Sequence, residues 1–469
     1  MKKILVFAAF AYLLALQSSA QKKQTKSPPV TKIELSPAKW TFQAGKVEFS
    51  NYKDRPSMKL LQRSGQVLLK DLSFKDGTIE YDIEPVLPEF ADAVYFHRKD
   101  EKEQEIVYLR VNRIGNPFAN EGIQYCPYFD GVNMWDMYPQ YQAPAPAKAG
   151  QWNHVKLIIS GRQMRVFVNG ERVLEIPKLE GRAEAGGISF EGSSYISNVE
   201  IKPGETEGLS PEEGTDLTRY EANFIRHWSL TKPVLLPAGT EPTVATALPK
   251  NETFSEKIEA ERGGLVNLTR QFGANEKRKI TWLRATITVK EAVNTRLQLG
   301  FSDEIWLYLN NQLTYTDKNL FAQNMKKYPE GRISYLNGET ELRLKAGPND
   351  LMIGIANDFY GWGLIARLAG TEGITAIDAY KAPARIAIEN IDLYTGIYAT
   401  KDGSLKLSFT KNEDELLARV NNRDELIPLS YAGNHIFNVE RIGVELKFNP
   451  ADKKVTLTEN GNDTELIKQ

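Results

Sequence analysis

The stretch from Gly150 to Gly170, Gly-Gln-Trp-Asn-His-Val-Lys-Leu-Ile-Ile-Ser-Gly-Arg-Gln-Met-Arg-Val-Phe-Val-Asn-Gly, limits the possible folds more than any other in the chain. Val155, Leu157 and Ile159 alternate with polar or half-exposed positions, which is the period of a strand with one buried face. Ser160-Gly161-Arg162 supplies a reversal, and Met164, Val166 and Val168 resume the same period before an Asn-Gly turn at Asn169-Gly170. A hairpin with one apolar face must close against a second sheet, so the segment predicts an antiparallel sandwich.

The flanking sequence repeats the pattern. Short, turn-bounded strands are expected at Val47 to Phe49, Gly77 to Ile83, Ala93 to His97, Glu105 to Val111, Gly187 to Phe190 and Ser197 to Ile201, in a first domain spanning 30–202. With Trp152-Asn153 opening its strand and Val168-Asn169-Gly170 closing it, the hairpin resembles the concanavalin A-like (laminin-G-like) sandwich. That resemblance implies a carbohydrate context and names no reaction.

Residues 203–221, rich in Gly, Pro, Glu and Ser, read as a linker. In 222–382, the order Asp303-Glu-Ile-Trp-Leu-Tyr-Leu-Asn-Asn311, Leu344-Lys-Ala-Gly-Pro-Asn349 and Gly361-Trp-Gly363 resembles the galactose-binding-like jelly roll or the related protective-antigen-type sandwich. In 383–469, Tyr394-Thr-Gly-Ile-Tyr398 and the alternating strands after it resemble the small lipocalin-like β-barrel appended to serine beta-lactamase-like exported bacterial proteins. The expected fold class is all-β, as two sandwiches and a barrel that are not copies of one another.

At 469 residues the chain exceeds what one hydrophobic core serves. Lys2-Lys3, the apolar run Ile4 to Leu16 and Ser18-Ser19-Ala20 have the layout of a cleavable signal peptide over 1–20, with a Lys, Gln, Ser and Pro tether over 21–29. The expected location is periplasmic or secreted. No later run approaches the roughly 18 apolar residues of a membrane helix. The chain holds 59 basic and 60 acidic residues, and loss of Lys2 and Lys3 leaves a slightly acidic mature protein without a basic footprint for nucleic acid. Cys126 is the only cysteine, which excludes an internal disulfide. His97, His154, His227 and His435 lack metal-ligand spacing, so no cofactor is expected and no metal site is assigned. Calcium is the one ion with candidate oxygen ligands, Asp303 and Glu304. Asn-x-Thr occurs at Asn251, Asn267 and Asn462, which are glycan acceptors in a suitable host.

Two constellations in the first domain offer chemistry. Glu80-Tyr-Asp-Ile-Glu84 places three carboxylates on one face of a strand, resembling the way family 16 glycoside hydrolases present theirs. Retaining hydrolysis needs carboxyls about 5 to 5.5 Å apart. Positions i and i+4 of a regular strand lie roughly 13 Å apart. The alternative is that Ile79, Tyr81 and Ile83 face the core and the acids face water. The second constellation runs from Tyr95 to Tyr141 and interleaves Tyr and Trp with Glu, Arg and Gln, the composition of a shallow glycan site. Phe96-His97-Arg98, Gln124, Tyr141-Gln-Ala-Pro-Ala145 and Trp152-Asn153 resemble the 3-keto-disaccharide hydrolase-like family, and the resemblance implies that His97, Arg98, Glu105 and Gln124 line one concave face.

Further along the chain, Trp306, Tyr308, Tyr360 and Trp362 are candidates for an aromatic platform. The glycines flanking Trp362 suggest an exposed turn, whereas Trp306 reads as core. Ser36-Pro-Ala-Lys39 matches Ser-x-x-Lys but has no Lys-Thr-Gly strand to complete such a site. The favoured expectation is an exported protein that binds an oligosaccharide or polysaccharide through His97, Arg98, Arg110, Gln124, Tyr125, Trp135, Tyr141 and Trp362. The alternatives are a glycoside hydrolase of the 3-keto-disaccharide type, with Glu105 or the Glu80 and Glu84 pair as acid and base, and an extracytoplasmic assembly protein acting through the barrel.

Overall fold

The computed structural model describes residues 31–86, 90–242, 248–273, 277–321, 324–381, 388–413, 415–421, 423, 425–439, 443–459 and 461–469. The expected signal peptide and tether lie outside these residues, as does most of the expected junction at 383. The fold is all-β, with sandwich sheets and a closed C-terminal barrel. Among the described residues no helix is long and apolar enough to cross a membrane.

The chain forms two compact units. The first comprises the chain up to Pro127 together with Tyr141–Gly214, and the second comprises Tyr128–Gln140 together with Thr215–Gln469. Residues 203–214 of the expected linker fall in the first unit and 215–221 in the second.

The first unit is a sandwich of two antiparallel sheets. One runs, in spatial order, Glu171–Ile176, Gln163–Val168, Asn153–Ser160, Gly77–Pro85, Ser194–Pro203, Arg55–Leu60 and Val47–Tyr52, with Thr31–Lys32 on the outside of Ser194–Pro203. The hairpin that opened the sequence reading lies in it, with Val155 opposite Val168 and Ser160 opposite Gln163. Asn169 and Gly170 both have positive φ, 52° and 83°, the geometry of the type I′ turn that suits strand twist. The other sheet runs through Ile123–Phe129, Glu105–Arg110, Ala91–Arg98, Gly187–Glu191, Val67–Leu69 and Trp40–Thr41. Ile79, Tyr81, Ile83, Val94, Phe96, Leu157 and Phe190 fill the space between the sheets, and the rings of Tyr81 and Phe190 meet edge to face at 4.9 Å.

Among its described residues the second unit holds three hydrophobic clusters, one of them inside the barrel. In its sandwich, the sheet Glu256–Glu259, His227–Leu230, Lys279–Val289, Gly347–Ala356, Glu304–Leu309 and Gln312–Lys318 faces the sheet Leu265–Asn267, Gly363–Leu368, Val293–Ser302 and Gly338–Leu344 across Leu283, Leu297, Phe301, Ile305, Ile353, Trp362 and Leu364. The barrel strands run from Gly396–Ala399 to Asn462–Lys468, and the pairing of Tyr398 with Lys468 closes the ring. Tyr394, Tyr398, Phe409, Phe437 and Phe448 pack edge to face inside it.

Candidate functional site

Strand alternation sorts the candidate residues of the first unit onto opposite faces. In the second sheet Tyr108 stands opposite Ala93 and Gln124, Tyr95 opposite Ile106, and Ala91 opposite Arg110, which puts Tyr95, Tyr108, Arg110 and Gln124 on one face. Phe96 stands opposite Glu105, and Val107 opposite Val94 and Tyr125, and this row joins the core between the sheets. The expectation that His97, Arg98, Glu105 and Gln124 line one face is therefore corrected. Glu105 and Gln124 are separated by an odd step across the ladder, so they point to opposite sides of the sheet.

The outer face carries a fixed cation. Arg110 Nη1 donates to the Glu121 carbonyl at 2.8 Å and Nη2 to the Tyr108 hydroxyl at 2.9 Å, and both reach Gln124 Oε1 at 3.3 Å. Tyr108 in turn donates to Gln124 Oε1 at 2.8 Å. Arg110 is only 5% exposed, yet among the described residues no carboxylate pairs with it. A buried charge held by neutral partners alone is costly, and oxygen-rich or anionic ligands would relieve that cost. Further along the same face Tyr95 donates to Glu191 Oε2 at 2.7 Å, and Arg98 Nε and Ser189 both donate to Gln66 Oε1. Sequence reasoning passed over Tyr108, whose signal was its position two residues before Arg110 on one strand face.

The inner group is a buried relay. Glu105 accepts from the Tyr125 hydroxyl through Oε2, and its Oε1 meets His97 Nδ1 at 2.9 Å. His97 Nε2 reaches the Lys75 carbonyl at 2.7 Å. The amide of Glu180 donates to Tyr125 at 2.6 Å, and Glu180 Oε1 accepts from Tyr141 at 3.1 Å. Burial lowers the His97 pKa, but the hydrogen bond and charge of Glu105 outweigh it, so the net direction is upward. Any side chain at position 181 would bring its Cβ to 2.6 Å from Glu105, so Gly181 is what lets its loop close over the carboxylate. The relay welds this loop to the sheet, and its oxygens are taken up by protein donors.

Glu80, Asp82 and Glu84 lie on the outer face of the other sheet, with Ile79, Tyr81 and Ile83 turned inward. All three are held by neighbouring side chains, and His154 is shared between Glu80 and Asp82. Lys202 donates to Glu80 at 3.0 Å, Arg55, Asn198 and His154 contact Asp82 at 2.7 to 2.9 Å, and Lys53 and Tyr52 donate to Glu84 at 2.7 and 3.0 Å. Asp82 and Glu84 are buried beneath these partners and His154 bridges Glu80 and Asp82, which ties the carboxylates up in a structural ion-pair network rather than leaving an acid and base to act on one bond.

In the second unit Trp362 is 1% exposed and sits in the sandwich core, which corrects the expected exposed turn. Gly361 and Gly363 are there for close approach. A Cβ on either would meet Met137 at 2.4 or 2.6 Å. Trp306 and Tyr308 are buried as well, so Tyr360 is the only member of the expected platform that reaches solvent. Trp135, read from sequence as part of the first domain, is packed instead against Phe321 and Tyr360 of the second unit. The oxygens offered to calcium are occupied. Glu304 accepts from Arg278 at 2.6 and 2.9 Å and from Lys318 at 2.9 Å, and Asp303 accepts from the amides of Asp358 and Phe359 at 2.5 and 2.7 Å. Among the described residues no group of three or more His, Cys, Asp and Glu is arranged for a metal.

Asp303 is coupled electrostatically to a second buried acid, Asp136, with which no sequence pattern connects it. Burial raises Asp303 to about 7 against the pull of its hydrogen bonds. Burial and the charge of Asp303 push Asp136 well above the carboxylate range, with Arg332 pulling the other way. Asp136 Oδ1 has no hydrogen-bond partner among the described residues.

Residues 35–202 match the family model of the 3-keto-alpha-glucoside-1,2-lyase-like domain. No curated protein matches the chain. Among solved structures, the carbohydrate binding module CBM66 from Bacillus subtilis is similar at 15% identity over 34% of this chain and 92% of that one, with a TM-score of 0.27. A Caenorhabditis elegans galectin is similar at 9% identity over 34% and 99%, with a TM-score of 0.23. Domain 4 of an extracellular arabinanase from Geobacillus stearothermophilus is similar at 13% over 42% and 91%, with a TM-score of 0.25. At these values the solved structures carry no argument about what this chain binds.

Proposed function

We propose that this is an exported protein that recognises a glycan through the outer face of its first sandwich, where Arg110, Tyr108 and Gln124 converge and Tyr95 lies further along. The observation that carries the reading is the enclosed guanidinium of Arg110, which has no carboxylate partner among the described residues, inside the segment that matches a sugar-directed family. Sugar hydroxyls are dense in acceptor oxygens, and Arg110 is pinned in advance, so little ordering entropy is lost on binding. The leader-like residues 1–20 and the likeness of the barrel to the appendage of exported serine beta-lactamase-like proteins support export.

A second reading, cleavage of a keto-disaccharide, is favoured by the name of the matched family. A ketone at C3 acidifies the C2 proton, so a base can remove it while the glycosidic oxygen leaves C1. In that reading Arg110 and Tyr108 would steady the enolate oxygen that develops. Glu105 lies on the opposite face of the sheet from Arg110, and Glu80 and Glu84 lie on the other sheet, so none of these three carboxylates reaches the face where that enolate would form.

The test is incubation of the mature protein with an oligosaccharide panel that includes 3-keto-disaccharides, with mass spectrometry of free sugar. Depletion of one sugar that disappears in Arg110→Met supports recognition. New masses that disappear in Arg110→Met support cleavage. Equal behaviour of wild type and Arg110→Met refutes the role of this face.

A further inference from the structure

Four rings of the second unit interlock. Trp135 meets Phe321 at 4.8 Å and Tyr360 at 5.9 Å between centroids, and both contacts are edge to face. Phe359 meets Tyr360 edge to face at 4.3 Å and lies parallel to Phe321 at 5.8 Å. Trp135 is 8% exposed and forms the base of the group, with the Arg332 guanidinium 4.9 Å from its ring. Tyr360 and Phe321 form the surface, at 45% and 37% exposed.

Two further features set these rings apart from ordinary surface aromatics. Tyr360 has φ of 58°, the left-handed region, although a glycine follows it directly. A bulky side chain is disfavoured there, and such strain persists where it orients a residue for use. Polar groups also border the rings. Asp358 is exposed beside Phe359, and Lys326 Nζ lies 5.8 Å from the Phe321 ring.

We propose that the Trp135, Phe321, Phe359 and Tyr360 cluster is a second carbohydrate-binding surface, taking one or two pyranose units on the exposed faces of Tyr360 and Phe321. This inference rests on the glycan reading of the protein. The C–H face of a pyranose is flat and apolar while its rim carries hydroxyls, matching ring faces bordered by one carboxylate and one amine. Size points the same way. Ordinary aromatic side-chain areas give the two exposed ring portions about 200 Å². A protein partner needs about 800 Å² on each side. The rings are locked by their neighbours, so stacking requires no rearrangement of the platform.

The test is saturation-transfer NMR on the full chain with maltotriose, cellotriose, xylotriose and arabinotriose. It compares wild type, Phe321→Leu/Tyr360→Leu, Phe321→Trp/Tyr360→Trp and Arg110→Met. Leucine keeps apolar bulk and removes the ring face, and tryptophan restores a face. The expected result is transfer to at least one trisaccharide, weakened at least tenfold in the leucine variant, retained in the tryptophan variant, and retained at this surface in Arg110→Met. Wild-type binding by the leucine variant overturns the inference, and if Arg110→Met alone loses binding the reading of the first sandwich stands without it. Loss in the leucine variant alone supports this surface and overturns the first. Absence of transfer from wild type to all four sugars overturns both.

Discussion

Replacing Asp303 with asparagine should stabilise the second unit at neutral pH and leave it unchanged in acid. The carboxyl is buried and lifted from its ordinary 3.8 to about 7. Between those values the folded chain holds a proton that the unfolded chain has released, so stability falls as pH rises through the window and levels off above about 7. A shift of roughly three pH units corresponds to about 4 kcal/mol lost between pH 4 and pH 8. Asparagine is the matched substitution. Its carbonyl oxygen still accepts from the amides of Asp358 and Phe359, and its amide donates to the Ser302 hydroxyl, which now donates to Asp303. The other charges acting on this acid or its partner, Asp136, Asp358 and Arg332, are unchanged in the variant. In thermal melts followed by tryptophan fluorescence, reporting Trp135, Trp228, Trp282, Trp306 and Trp362, the variant should exceed wild type by about 10 °C at pH 8 and match it at pH 4. A difference of the same size and sign at both pH values would refute the reasoning, because titration of Asp303 would then contribute nothing.

Glu105→Gln should cost the first unit about 3–5 kcal/mol at pH 6 by stranding a buried imidazolium. Because the His97 pKa is raised in the folded state, its contribution is complete below about 6.5 and is lost as pH rises through the folded value. Urea unfolding at pH 6 and pH 9 should show the cost of the substitution shrinking at the higher pH, and an equal cost at both would show that His97 is not the charged partner. Trp362→Ala should cost about 3–5 kcal/mol through the cavity it leaves, seen as a fall in the melting temperature of the second unit, and wild-type melting would contradict its place in the core.

What the sequence made legible was local. Period-two runs such as Val155 to Ile159 and Met164 to Val168 identify strands because each residue's face follows from its neighbours. The turn at Asn169-Gly170 is legible because only a few residue types accept its backbone. The sheets and the barrel followed from such segments. The site followed only in part. Arg110 and Gln124 do converge, but Glu105 turns into the core, and the alternation within Glu105-Ile-Val-Tyr-Leu-Arg110 was enough to separate them. Trp362 misled because glycine signals both turns and close packing, and only the side chain of Met137, more than two hundred positions earlier, distinguishes the two. The pairing of Asp136 with Asp303 had no local signal, since both acids are solvated by default in any sequence-based reading.

Residues 128–140 have a consequence for the order in which this protein can mature. They leave the ribosome well before the partners that bury them, and Met134, Trp135 and Met137 are fully or almost fully enclosed only once Phe321, Tyr360, Gly361 and Gly363 exist. Through the synthesis of some two hundred residues an apolar loop must therefore wait without the side chains that bury it. Cutting the gene after residue 214 would make that wait permanent, so the first sandwich expressed alone should be sticky in a way that the intact chain is not.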